Sequence, residues 1–132
     1  RNNLSKWGTS DIPEELSHVH ARKRVWDDYQ GYLERSPVYH VDNAKTPLLI
    51  LHGKNDTRVD PGQSYELYRH IKTRTDTPVR LVLYPGEGHG NRRATAQFDY
   101  NLRAMRWFNE YLKGDAERPD MELEIETISL EN

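Results

Sequence analysis

Apolar residues in this chain fall into short blocks between turn-forming and charged stretches, and the period of each block predicts its element. Leu48-Leu49-Ile50-Leu51-His52-Gly53 follows Thr46-Pro47 and shows no alternation. An unbroken apolar run of this length suits a strand covered on both faces, as in a parallel sheet between helices. Val79-Arg80-Leu81-Val82-Leu83-Tyr84, after Thr77-Pro78, reads as a second strand. Between them Asp60-Pro61-Gly62-Gln63 reads as a helix start, with Asp60 as N-cap, Pro61 as the first helical residue and Gln63 as capping-box partner. Tyr65, Leu67, Tyr68 and Ile71 supply its buried stripe. A last helix is predicted from about Thr95 to Leu112, where Phe98, Leu102, Met105, Phe108 and Leu112 recur every three or four residues. Tyr100, Ala104, Trp107 and Tyr111 form an adjoining stripe, and so broad an apolar face indicates a helix packed flat on a sheet. Lys113-Gly114 is its stop.

Ahead of the first strand, residues 11–35 read as a helical region. Asp11 serves as N-cap with Pro13 in the first turn. Leu16, Val19, Val25, Trp26, Tyr29 and Leu33 are loosely spaced among charges, as in one or two amphipathic helices, and Ser36-Pro37 ends them. After Gly114, Met121, Leu123 and Ile125 alternate with Glu122, Glu124 and Glu126 like an edge strand. The expected organisation is a helical segment at 11–35, a βαβα unit at 46–114 and a tail at 115–132. Parallel strands joined by a helix form a right-handed unit. Two strands that are apolar on both faces still need further strands and covering helices. Residues 1–114 are therefore expected to be the C-terminal portion of a larger α/β domain, incomplete as a stand-alone sheet.

Composition narrows the function. The chain has 132 residues, 35% hydrophobic and 30% charged, with a net charge of −2. That length holds one small domain, and the near-zero charge gives no reason to expect a nucleic-acid partner or an anionic membrane surface. No apolar run approaches the roughly 20 residues of a membrane helix. The absence of Cys excludes disulfides, thiolate zinc sites and cysteine nucleophiles together. The opening Arg1-Asn2-Asn3 carries neither an initiator Met nor a signal-peptide pattern, so the chain is expected to begin inside a longer protein.

Candidate chemistry gathers where the two strands end. In open α/β sheets ligands bind beyond the carboxyl ends of the strands. The first strand leads into His52-Gly53-Lys54-Asn55-Asp56-Thr57-Arg58-Val59, and the second into Pro85-Gly86-Glu87-Gly88-His89-Gly90. An Asp on one loop and a His on the next can pair, the carboxylate fixing the imidazole tautomer and stabilising the imidazolium formed on proton uptake. The chain order Asp then His is that of an α/β-hydrolase, in which Ser comes first.

The blocks Thr46 to Val59 and Tyr84 to Gly90, taken together, resemble the end of the catalytic domain of the prolyl oligopeptidase family of serine peptidases. The resemblance covers most of Trp7 to Gly114. It implies an α/β-hydrolase fold, with a β-propeller upstream that limits access to short peptides. It implies Asp56 as triad acid and His89 as general base. Arg58 resembles the family residue that binds a substrate backbone carbonyl, and Val59 the one lining the pocket for the residue before the scissile bond. The expected partners are a peptide substrate and the rest of the same polypeptide. The polar segment at 14–33 is placed to meet a propeller or a second subunit of a homo-oligomer. No cofactor and no metal is implied. No Gly-x-Ser-x-Gly occurs in the 132 residues, so the nucleophile is expected upstream and this segment alone is expected to hydrolyse nothing.

Other readings compete with these assignments. Asp56 could simply close a strand-to-helix loop as an Asx-turn, and His89 could be a solvated turn residue. His52 reads as a packed strand-end residue. His18 and His20, two apart, share no helix face and do not suggest a metal site. Gly86 to Gly90 with Arg92 and Arg93 resembles a phosphate loop, but the spacing matches neither common glycine signature. A hydrolase-like interaction module without catalysis is the remaining alternative.

Overall fold

The computed structural model describes residues 22–114. The first described element is helix α1 (Tyr29–Glu34), capped by Asp28, whose Oδ1 accepts from Gly31 N at 3.2 Å. Among the described residues the expected helical region shows one short helix after a turn at 24–28; its part before residue 22 lies outside them, as do His18 and His20. Its buried residue is Tyr32 rather than Tyr29 or Trp26, both of which are exposed. The Tyr32 hydroxyl donates to Lys23 O at 2.7 Å and its carbonyl accepts from Ser36 Oγ at 2.7 Å, which gives its polar groups buried partners. Ser36 is extended, as a residue before Pro should be, and a 3-10 turn (Pro37–Asn43) follows.

Strands β1 (Leu48–Gly53) and β2 (Val79–Tyr84) stand where the apolar blocks place them. They pair in parallel, Leu48 opposite Val79 and Gly53 opposite Tyr84, so both chains leave the sheet side by side. Leu48 to His52 are only half-buried, because the described sheet has two strands and not the cover that their composition anticipates.

Helix α2 (Gly62–Arg74) joins the strands and packs on both and on the 3-10 turn. It opens one residue later than expected: Pro61 is the half-in cap, and Asp60 Oδ1 accepts from Gly62 N at 2.6 Å. Gln63 therefore stands at the second helical position, not the third that a capping box requires. Its buried amide has no hydrogen-bond partner among the described residues. Ile71 is the buried centre of the α2 stripe, whereas Tyr65 is exposed.

Helix α3 (Ala94–Phe108) passes into a wider final turn (Asn109–Lys113), and Gly114, at φ 68°, ends it in the left-handed region that Gly adopts freely. Only part of the broad face expected to pack does so, on the side of Trp107. Ala96, Arg103 and Trp107 are buried, and the Trp107 and Tyr111 rings lie 4.6 Å apart. The other part of the broad face expected to pack is open, with Phe98 71% and Leu112 76% exposed and Met105 and Phe108 also outward. A two-stranded sheet can cover one face of this helix, and small Ala96 lets that face approach. Arg103 is accommodated there because its Nε donates to Asp99 Oδ2 at 2.7 Å, the oxygen that also accepts from the Tyr84 hydroxyl at 2.9 Å. Burial and that carboxylate push the Tyr84 hydroxyl above its ordinary range, so it remains a donor. The alternating segment at 121–125 lies outside the described residues.

Candidate active site

Gly53 ends β1 in contact with the loop that leaves β2. Lys54 N donates to Tyr84 O at 2.9 Å and Asn55 N to Glu87 O at 2.8 Å, while Asn55 Oδ1 accepts from Gly86 N at 2.9 Å. These bonds tie the two post-strand loops together and bring Asp56 to His89. His89 Nδ1 lies 2.9 Å from Asp56 Oδ2. Because a carboxylate only accepts, Nδ1 carries the hydrogen, and Nε2 is the nitrogen left to take a proton. The Asp56 side chain is 5% exposed and that of His89 45%, so the carboxylate is buried and the imidazole is open.

Asp56 makes both kinds of contact at once. Its Oδ1 accepts from Arg58 N at 2.9 Å and Val59 N at 3.0 Å, which closes the loop as an Asx-turn does. Its Oδ2 holds His89. Burial raises the carboxyl pKa, but the Val59 amide, His89 and the Arg58 amide together outweigh it, so Asp56 titrates below its ordinary value and stays ionised at neutral pH.

The pair opens on a cavity of about 560 Å³ lined by His52, Asp56, Val59, Tyr84, His89 and Tyr100, among others. Val59 thus faces the same space as the pair, and the Arg58 side chain is exposed. Two residues not counted as candidates also meet these loops: His52, read from the sequence as a packed strand-end residue, and Glu87. His52 contacts Asp56 directly, with Nε2 3.2 Å from Oδ2. Glu87, 2% exposed, accepts from Arg92 N at 2.6 Å and from Arg93 Nε at 2.6 Å, while a further Arg93 nitrogen donates to Pro85 O. These bonds, the Arg92 amide foremost, hold the Glu87 carboxyl below its ordinary range. The signal for Glu87 was an acid flanked by glycines five and six residues before two arginines. A phosphate at this loop would need those same donors, and Glu87 already occupies them. Among the described residues no three His, Asp or Glu side chains gather as a metal site would require, and no helix is long and apolar enough to cross a membrane.

Parallel strands with an Asp and a His at their adjacent carboxyl ends, flanked by helices, place the described region in the α/β-hydrolase fold. The prolyl oligopeptidase family model matches residues 2–115, and the chain belongs to that family. It is 32% identical over 120 residues to the acylamino-acid-releasing enzyme of Rattus norvegicus, a match covering 84% of this chain and 16% of that protein. It is 37% identical over 84 residues to dipeptidyl aminopeptidase BIII of Pseudoxanthomonas mexicana, covering 64% of this chain and 12% of the relative. Among solved structures, a Mycobacterium tuberculosis puromycin-hydrolyzing peptidase superposes with a TM-score of 0.76 at 24% identity, covering 84% of this chain and 17% of that one. The acylaminoacyl peptidase of Pyrococcus horikoshii superposes with a TM-score of 0.70 at 23% identity, over 83% of this chain and 18% of that one. The chain thus spans about a sixth of the length of these relatives.

Proposed function

We propose that this chain supplies the acid and the base of a serine peptidase whose nucleophilic Ser stands elsewhere in a longer polypeptide. The observation that carries the reading is the bond between His89 Nδ1 and Asp56 Oδ2, 2.9 Å long, at the carboxyl ends of neighbouring parallel strands in a member of this family. The upstream Ser Oγ attacks the carbonyl carbon of the scissile peptide, and its proton passes to His89 Nε2. His89 then gives that proton to the leaving amine as the C–N bond breaks, and water hydrolyses the acyl ester by the same route. Asp56 remains ionised throughout, holding the imidazole in the Nδ1–H tautomer and stabilising its cation. Acyl transfer of this kind uses side chains alone and needs no cofactor or metal.

Arg58 is assigned to a backbone carbonyl of the substrate and Val59 to the wall beside the scissile bond, a role its place in the cavity supports. Residues 1–114 form the end of the hydrolase domain, and 115–132 its tail. The names of the relatives make short N-acylated peptides the first substrates to assay. The test is fluorophosphonate labelling of the full-length protein together with Asp56→Asn and His89→Ala. Labelling is expected on a species much heavier than this chain, and each substitution is expected to lower kcat by ~10⁴, the scale of losing a triad member. A loss below about tenfold for both substitutions overturns the assignment.

A further inference from the structure

Asp56 is shared by two histidines. Besides His89, the ring of His52 at the end of β1 approaches it, with Nε2 3.2 Å from Asp56 Oδ2 and 2.8 Å from Val59 O. Both neighbours are pure acceptors, so Nε2 carries a hydrogen and divides it between them. The other ring nitrogen, Nδ1, is 2.5 Å from Ser64 Oγ in the first turn of α2. The result is a chain of contacts from Ser64 through His52 and Asp56 to His89, spanning α2, the end of β1 and both post-strand loops.

We propose that His52 is a positioning residue for the catalytic pair, and the proposal rests on Asp56 and His89 being acid and base. The residues Ser64, His52 and Asp56 mimic a triad, but Ser64 is buried and does not line the cavity that His89 faces. Its hydroxyl is an anchor for the His52 ring. His52, with an 11% exposed side chain, acts on both halves of the acid's loop. It binds the Val59 carbonyl while the Val59 amide binds Asp56 Oδ1, and it meets Oδ2, the same oxygen that His89 meets. Without it, the carboxylate keeps its two amide donors but loses the contact that fixes the position of Oδ2, the oxygen that orients His89. The groups facing Asp56 are then His52 from β1, His89 from the loop after β2, and the Arg58 and Val59 amides from its own loop.

The test is a substitution series in the full-length protein, with rates normalised to sites labelled to completion by a fluorophosphonate. His52→Phe is expected to lower kcat by roughly 10 to 100 fold with KM within about twofold, the scale of a small misplacement of a catalytic group. The acid limb of the kcat/KM pH profile is expected to move as well, because the carboxylate that orients His89 has lost its second imidazole donor. His52→Gln can donate from near the Nε2 position and is expected to return most of both effects. Ser64→Ala is expected to fall between the two. An unmoved limb and a kcat within about twofold of wild type for His52→Phe overturn the proposal, as does His52→Gln lying no nearer to wild type than His52→Phe. If His52→Phe yields no labelled sites, Ser64→Ala decides, and an unmoved limb there overturns it. Asp56→Asn in the same series separates the two readings. A silent Asp56→Asn overturns the catalytic assignment beneath, whereas a ~10⁴ loss there beside a silent His52→Phe overturns the positioning role alone.

Discussion

Replacing Gly53 by Ala tests whether the close approach of the two loops is what builds the site. Gly53 is buried and stands opposite Tyr84 at the last register position of the sheet. A Cβ there would lie 2.6 Å from the Glu87 carbonyl oxygen and closer still to that of Gly88, inside the 3.0 Å that Cβ atoms keep. Both obstacles are backbone and cannot rotate away, so the 87–88 backbone must retreat by roughly 0.5 to 1 Å, the response of a close-packed interior to an added methyl. His89 is the next residue. Its bond to Asp56 measures 2.9 Å, and a retreat of that size takes it to or beyond the limit of useful hydrogen bonding. The expected result is a kcat lower by ~10² for a misplaced base, with a loss of unfolding stability of about 1 to 3 kcal/mol for overpacking. Gly88→Ala is the control, since a Cβ at Gly88 meets only Asn55 O at an ordinary 3.8 Å. The assay is steady-state hydrolysis of a peptide p-nitroanilide by the full-length protein, with denaturant unfolding of the same samples. Wild-type kcat and midpoint for Gly53→Ala, or equal damage from Gly88→Ala, would refute the reasoning.

Two further outcomes follow from the same geometry. Asp56 has a folded-state pKa below its unfolded value of ~3.9, so its contribution to stability is present above that value and is lost as pH falls through the folded pKa. The gap in thermal midpoint between wild type and Asp56→Asn is therefore expected to be largest near neutrality and to shrink as pH falls below about 4, and a gap independent of pH contradicts it. Expressed alone, the 132-residue chain is expected to unfold without a cooperative transition. Among the described residues the buried apolar core is thin, centred on Tyr32, Val41, Ile71, Tyr84, Ala96 and Trp107, while Phe98, Met105, Phe108 and Leu112 face outward. A compact monomer with a sharp denaturant midpoint would contradict this.

Elements set by local chemistry were legible in the sequence. The apolar blocks at 48–53 and 79–84, each behind a Thr-Pro, became β1 and β2 with the same ends, and Gly114 stopped the last helix as glycine does. What failed depended on partners outside the segment that periodicity samples. On α3 both stripes are apolar, and nothing along the helix says which one a two-stranded sheet will cover; the choice fell on the stripe carrying Ala96 and a hydrogen-bonded Arg103. The α2 start slipped by one residue because Pro61 can cap as well as begin a helix, and that slip removed Gln63 from the capping box.

The site was half legible for a related reason. Asp56 and His89 could be paired because they follow successive strands in the order Asp then His, inside blocks that resemble one family, although either alone has a common use in a turn. His52 could not, because its position within an apolar run made it look like packing, and packing is part of what it does. Its four-residue separation from Asp56 is a helical spacing, yet the contact is made by a strand end folding back through a loop. Glu87 was hidden in the same way, since its value lies in three donors, the Arg92 and Arg93 amides and Arg93 Nε, that the turn ahead of α3 brings back to it. The residues proposed to do the chemistry are visible from the residues around them in sequence, whereas those that hold them are visible only from the fold. Substitutions at Gly53, His52 and Glu87 are therefore the ones whose effects depend most directly on this structure.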